Sequence, residues 1–270
     1  MPINPETLDQ AAKRLRGARR LVVFTGAGVS AESGIPTFRD DNGFWQRFPP
    51  EQFARWDGLI KTAVVHPDQL AEFLQAVLEP IAVAWPNAAH AAIARLEQHC
   101  KATVITQNVD GLHQAAGSKQ VREVHGSFFR VVSLRGQPIR SLQREELVAV
   151  SESLRRTRSG MFRLARLLWS LRPMFGLSWR GFKRPGVVLF GGAMAEPDWS
   201  QAQRDAQLCD AILVVGTSGL IYPAAMLPGL ARQHGASVIS IDPYEPGPSH
   251  VWLRGRAGEV VPQLVQAAFG

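Results

Sequence analysis

Cysteine is almost missing from this 270-residue chain: Cys100 and Cys209 are the two. Each stands just before an apolar stretch and they lie far apart, which excludes a disulfide framework and reads as two reduced, half-buried thiols. No run of about 18 apolar residues occurs, so a membrane span is not expected. The N-terminal segment also lacks the apolar centre of an export signal. It reads instead as an amphipathic helix capped by Asn4, with Pro5 in its first turn, Leu8, Ala11, Ala12 and Leu15 on one face, and Gly17 as its stop. A cytoplasmic chain is the expectation. Internal repeats and low-complexity tracts are absent as well.

What is present is a 46% apolar composition over a length that suits one large or two modest domains. Strand-like segments at 21–24, 103–106, 187–190, 212–215 and 238–241 alternate with helical stretches at 67–78, 88–99 and 223–234. That alternation predicts an α/β fold with a doubly wound parallel, Rossmann-like sheet. Between them, residues 39–57 are rich in aromatics, prolines and charge, the composition of a mobile lid.

Three polar motifs leave these strands. TGAGVSAESGIPTFRD, 25–40, follows the apolar RRLVVF, and glycines at a strand-to-helix turn let a phosphate approach backbone N–H groups. The spacing of Gly26, Gly28 and Ala31 fits a relaxed dinucleotide fingerprint, although the acid expected about 20 residues further on is not evident. TQNVDGLHQAAG, 106–117, follows ATVI and precedes EVHGSFF with His125. VVGTSGLIYPAA, 214–225, continues AILVV. Open α/β sheets bind ligands at such strand ends.

With PTFRDDNGFW, PNAAHAAIARLE, VVLFGG, VISIDP and LRGRAGEVVPQL, these motifs stand in the order found in sirtuins, and over most of its length the chain resembles that family. The resemblance implies an NAD-dependent protein-lysine deacylase, which transfers the acyl group of an acyl-lysine protein or peptide to ADP-ribose and releases nicotinamide. It implies that the backbone of Gly26, Ala27, Gly28 and Ser30 cradles the diphosphate, and that Phe38 and Arg39 lie at the cofactor. Gln107, Asn108 and Asp110 would serve the nicotinamide ribose and pocket, with Asn108 placing a water and ribose hydroxyls. Gly216, Thr217 and Ser218 would line the phosphate and adenosine ribose, Asp242 would accept from ribose hydroxyls where the family commonly has Asn, and backbone near Arg256 and Ala257 would meet adenine. His125 would take a proton from a ribose hydroxyl, as an imidazole titrating near neutrality can. His90 and His113 are left as packing or capping residues.

Two departures concern the substrate. The strand expected to pair with the substrate peptide carries Phe190, Gly191 and Gly192, with Gly192 where deacylating sirtuins usually have Glu. Leu74 and Val77 stand where enzymes removing acidic acyl groups carry Tyr and Arg, so a neutral acyl group is preferred, although Thr37 is the variant seen in the acidic-acyl enzymes. Mono-ADP-ribosyl transfer or NAD hydrolysis, and a non-catalytic NAD-sensing regulator, are the alternatives.

A third departure is the insertion. Most sirtuins hold zinc there through two Cys-x-x-Cys pairs, yet 127–186 contains neither Cys nor His, so no zinc and no other metal is expected. The expected division is 1–126 with 187–270 as the NAD-binding domain, and 127–186 as a smaller, mainly helical module. After Ser141 as N-cap, Leu142, Leu147, Val150 and Leu154 form one helical stripe, and Phe162, Ala165, Leu168, Trp169 and Leu171 form a second. The module holds thirteen Lys or Arg against three acids, a charge of +10 in a chain of +7, so the remainder is −3. Such an excess would attract nucleic acid, an acidic partner or anionic lipid; the plainer reading is a solvated helix face.

Overall fold

The computed structural model describes residues 3–37, 44–156, 162–178, 181–245 and 247–270. The chain forms two compact units: Met1–Thr37, Trp85–Val124 and Glu196–Gly270 make the first, and Phe38–Ala84 with His125–Ala195 the second.

The first unit is built on six parallel strands: β1 (Arg20–Thr25), β2 (Lys101–Thr106), β3 (Val121–Glu123), β8 (Ala211–Val215), β9 (Ser237–Asp242) and β10 (Val251–Arg254). Their order is β10-β9-β8-β1-β2-β3. The short edge strands β3 and β10 add to the four read from sequence. The central strands are continuous apolar runs because both faces are covered. Leu21 and Val23 of β1 join a core with the helices α1 (Pro5–Arg16), α6 (Ala88–Arg95) and α12 (Ala257–Phe269), while Val22 and Phe24, on the opposite face, are buried as well. The remaining helices here are α7 (Leu112–Ala115), α10 (Asp198–Leu208) and α11 (Leu227–Gln233). α1 forms as its sequence dictates: the Asn4 carboxamide accepts from the Glu6 and Thr7 N–H groups, and Ala11, Ala12 and Leu15 are buried.

The second unit contains an antiparallel sheet, ordered β5-β4-β7-β6, from β4 (Gly126–Ser133), β5 (Pro138–Ser141), β6 (Gly176–Ser178) and β7 (Gly181–Val187). This sheet is the part of the module that helical periodicity did not announce. Residues 187–190, expected as a parallel strand, depart from expectation: Val187 ends β7 and pairs antiparallel with Gly126, and 188–190 lie outside any strand. The helices are α2 (Phe44–Arg47), α3 (Pro50–Phe53), α4 (Trp56–Val65), α5 (Pro67–Val83), α8 (Arg144–Arg155) and α9 (Arg163–Leu171). From Phe44 onward the expected lid is helical, and the rings of Phe44, Phe48 and Phe53 cluster on Phe73 of α5. Because α5 packs on both α8 and α9, the segment 38–84 groups with the insertion, a division different from the one drawn on sequence.

α8 buries Leu147, Val150 and Leu154, as its stripe predicts, and Leu142 just before it. Its cap is Gln143, in a reciprocal box with Glu146, two residues after the expected Ser141. α9 is turned from the expected stripe: Leu167, Ser170 and Leu171 face inward, whereas Phe162, Leu168 and Trp169 are exposed. With leucines at 164, 167, 168 and 171 the helix offers more than one apolar face, and packing selects one. On the chosen face the Ser170 hydroxyl lies 2.7 Å from that of Ser153 on α8. Burying Leu147, Leu154 and Leu167 contributes about 1.5–3 kcal/mol each, an apolar core for the module.

Candidate functional site

Strand order reverses between β1 and β8, and the crevice at such a reversal is where doubly wound sheets take ligands. The loops leaving these two strands touch. The Gly28 N–H donates to the Gly216 carbonyl at 2.9 Å and the Gly26 N–H to that of Val215 at 3.1 Å. A Cβ on Gly28 would lie 2.7 Å from the Gly216 Cα, and Gly216, at φ +60°, could bear none without meeting Gly28 and Val29 backbone. These glycines therefore knit two strand ends together. Ser30 and Val29 donate to Ala27 and Gly26 carbonyls, so within this turn Ala27 is the residue whose N–H has no backbone acceptor among the described residues.

Ser30 is wholly buried and organises the site. Its hydroxyl donates to Asp110 Oδ2 at 2.7 Å and accepts from Asn108 Nδ2 at 3.0 Å. Asp110 Oδ1 accepts from the Leu112 N–H at 2.9 Å, and the Asn108 N–H donates to Thr106 Oγ1. Two strand-end loops are thereby locked through side chains that are 8% exposed or less. Gln107, directly after β2, reaches across to donate to Thr217 Oγ1 at 3.0 Å. Asp242, at the carboxyl end of β9, is buried and accepts from the Tyr244 N–H. Ala257 opens α12, whose Gly258 N–H donates to the Glu32 carboxylate. Ser218 is exposed beside Thr217. Phe38 and Arg39 lie outside the described residues.

The buried cluster contains two histidines. His90 closes a capping box with Asn87 at the start of α6, and burial holds its pKa down to about 4. His113, its ring tilted against that of His90 at 4.8 Å between centroids, is pushed well below the ordinary imidazole range by burial and then by His90. The Thr25 hydroxyl donates to Thr106, leaving its oxygen to accept from His113 Nε2 at 3.0 Å; His113 Nδ1 is then a buried acceptor without a partner. Both rings are neutral at physiological pH. Sequence reading assigned them packing and capping roles; it missed that they, with Thr25 and Thr106, wall the Ser30 hub. The alternation of β1 and β2, which turns Thr25 and Thr106 to one face, is the signal for that pair. Burial pushes the thiols up, Cys209 to about 11, so neither cysteine is a thiolate.

In the second unit, His125 is half-buried in the turn before β4, and its carbonyl accepts from the Val188 N–H at 2.9 Å. Gly126 sits at φ +74°, and a Cβ there would fall 1.7 Å from the Gly186 carbonyl, so this turn admits only glycine after the histidine. Phe190 is half exposed, donates its N–H to the Ala54 carbonyl and has its ring 6.2 Å from that of Trp45. The Gly192 N–H closes a turn on Leu189 through Gly191. Among the described residues no cluster of three metal-ligating side chains occurs.

Glycine turns and a buried polar hub at the reversal point of a parallel sheet are the arrangement of Rossmann-like, dinucleotide-binding proteins. Residues 26–223 match the model of the Sir2 family. The chain is 39% identical over 263 residues to an NAD-dependent protein deacylase of Desulfosudis oleivorans, covering 96% of this chain and 94% of that one. It is 41% identical over 266 residues to NAD-dependent protein deacylase 1 of Pseudomonas aeruginosa, covering 94% and 96%. A solved complex of a Sir2 homologue with NAD superposes with a TM-score of 0.75 at 34% identity, covering 96% and 93%. This chain belongs to the Sir2 family.

Proposed function

We infer that the chain is an NAD-dependent protein-lysine deacylase, taking an acyl-lysine protein or peptide as substrate. The observation that carries the reading is the Ser30 hub, which locks Asn108 and Asp110 at the switch point of the sheet in a chain of this family. When bound, NAD supplies a nicotinamide leaving group and the ribose carbon that accepts the acyl oxygen. Gln107, Thr217, Ser218 and the Ala27 N–H hold its phosphates and riboses on this reading, with Gly26, Gly28 and Gly216 shaping the loops, and Asp242 and the Ala257 backbone serve the adenosine half. Phe38 and Arg39 act at the cofactor. Asn108 orients a water and ribose hydroxyls.

His125 is the base. His90 and His113 are buried and have no route to a substrate proton, whereas His125 is half-buried, which suits proton transfer. The peptide lies along 188–192, with Phe190, Gly191 and Gly192 beneath it. The enzyme works in the cytoplasm, on neutral acyl groups. The test is purified protein with NAD and an acetyl-lysine peptide, following nicotinamide and acyl-ADP-ribose together. Absence of both products, with His125→Ala indistinguishable from the parent, ends the reading.

A second reading, mono-ADP-ribosyl transfer or NAD hydrolysis, rests on Gly192. A Cβ there would make a tight contact, 3.0 Å, with the Leu189 carbonyl, and glycine provides no carboxylate beside the peptide. Nicotinamide release without an acyl substrate selects it.

A further inference from the structure

We propose that the outward face of α9 is a docking surface for an anionic lipid bilayer. α9 turns Leu167, Ser170 and Leu171 into the second unit and leaves Leu168 60% and Trp169 65% exposed, with Leu164 at 39% beside them. Phe162, just before the helix, is 67% exposed. Four large apolar side chains in eight residues form a costly face in water, and a lipid interface relieves that cost. The charge beside them is mostly positive: Arg163, Arg166 and Arg172 are exposed on the same segment, which contains no acid, Arg163 is paired with Asp68 of α5 at 3.3 Å, and the stretch 127–186 carries +10 while the rest of the chain is −3. Arginines flanking leucines can reach phosphate headgroups while the leucines enter the acyl boundary.

The geometry favours lipid over nucleic acid. A base-stacking platform needs an open aromatic face, but the Arg172 guanidinium covers the Trp169 ring at 3.7 Å from its centroid, and Leu164 and Leu168 on the same helix are aliphatic. A second apolar point follows in the chain, where Leu177 pairs with Phe182 across β6 and β7 and is 86% exposed. The inference is independent of the catalytic reading.

The experiment is sedimentation of the full chain with vesicles of phosphatidylcholine alone and of phosphatidylcholine with phosphatidylglycerol. Expected is binding to the anionic vesicles at least tenfold tighter than to the neutral ones, weakened by salt. Expected also is a loss of at least tenfold in Leu168→Ser/Trp169→Ser, whose thermal melting is unchanged because both side chains are exposed. Equal partition to both vesicles, no partition to either, or a double variant that binds like the parent overturns the proposal. So does duplex DNA that displaces the chain from vesicles while binding the double variant equally well.

Discussion

Ser30 holds two other side chains in place, and its removal is the most informative single change. Ser30→Ala leaves a buried carboxylate oxygen and a buried amide without their shared partner. Such groups cost about 1–3 kcal/mol when left unsatisfied. Thermal or urea unfolding should register that loss, and turnover should fall with it; unchanged stability would show the hub to be ornamental. His125→Ala is expected to behave in the opposite way. Turnover drops about 100- to 10,000-fold with little change in melting temperature, since the side chain is not fully buried and the turn is held by backbone contacts and Gly126. Calorimetric NAD titration separates the cases, because His125→Ala should still bind NAD. At this scale the motif residues were legible, since Asn108, Asp110 and Ser30 stand in recognisable strings. The Ser30 hydroxyl's partners were not legible, because 78 and 80 residues separate it from them.

At the scale of elements, the turn after β1 and the turn after β8 behave as one unit. Gly28→Ala places a methyl 2.7 Å from the Gly216 Cα, and backbone cannot swing aside as a side chain tip does. The expected cost is about 1–3 kcal/mol of overpacking, with NAD affinity lost together with stability. A variant that melts and binds like the parent would mean that the two loops are not coupled. Four of the six strands of the central sheet were readable as apolar β-branched runs, α1 as a stripe behind its cap, and α8 as a stripe whose cap is Gln143 where Ser141 was expected. α9 was not readable, because leucines at 164, 167, 168 and 171 satisfy more than one helical face, and only packing against α5 and α8 decides between them. Residues 187–190 were misassigned for a related reason. An apolar run is compatible with either kind of sheet, and pairing with β4 makes Val187 antiparallel.

For the whole molecule, two buried neutral imidazoles predict acid sensitivity. Folding lowers the pKa of His90 from 6.5 to about 4, and that of His113 falls in the same direction, so between those values the unfolded chain binds more protons than the folded one. Their stabilising contribution is therefore complete above pH 6.5 and is lost as pH falls toward 4. For His90 it amounts to roughly 3 kcal/mol. Melting temperature measured from pH 7 to pH 4.5 should fall, and less steeply in His90→Gln; parallel slopes would contradict the assignment. The chain by itself determined the class of fold, the glycine turns and the family motifs, because apolar periodicity and short polar strings are local properties. It also determined the concentration of positive charge in one segment. Tertiary structure alone decided that the glycines bind one loop to another, that two histidines are kept neutral, and that α9 presents leucines and a tryptophan to solvent. Each of these depends on which distant residues meet, and burial and hydrogen bonding are set by that meeting and not by neighbours in sequence.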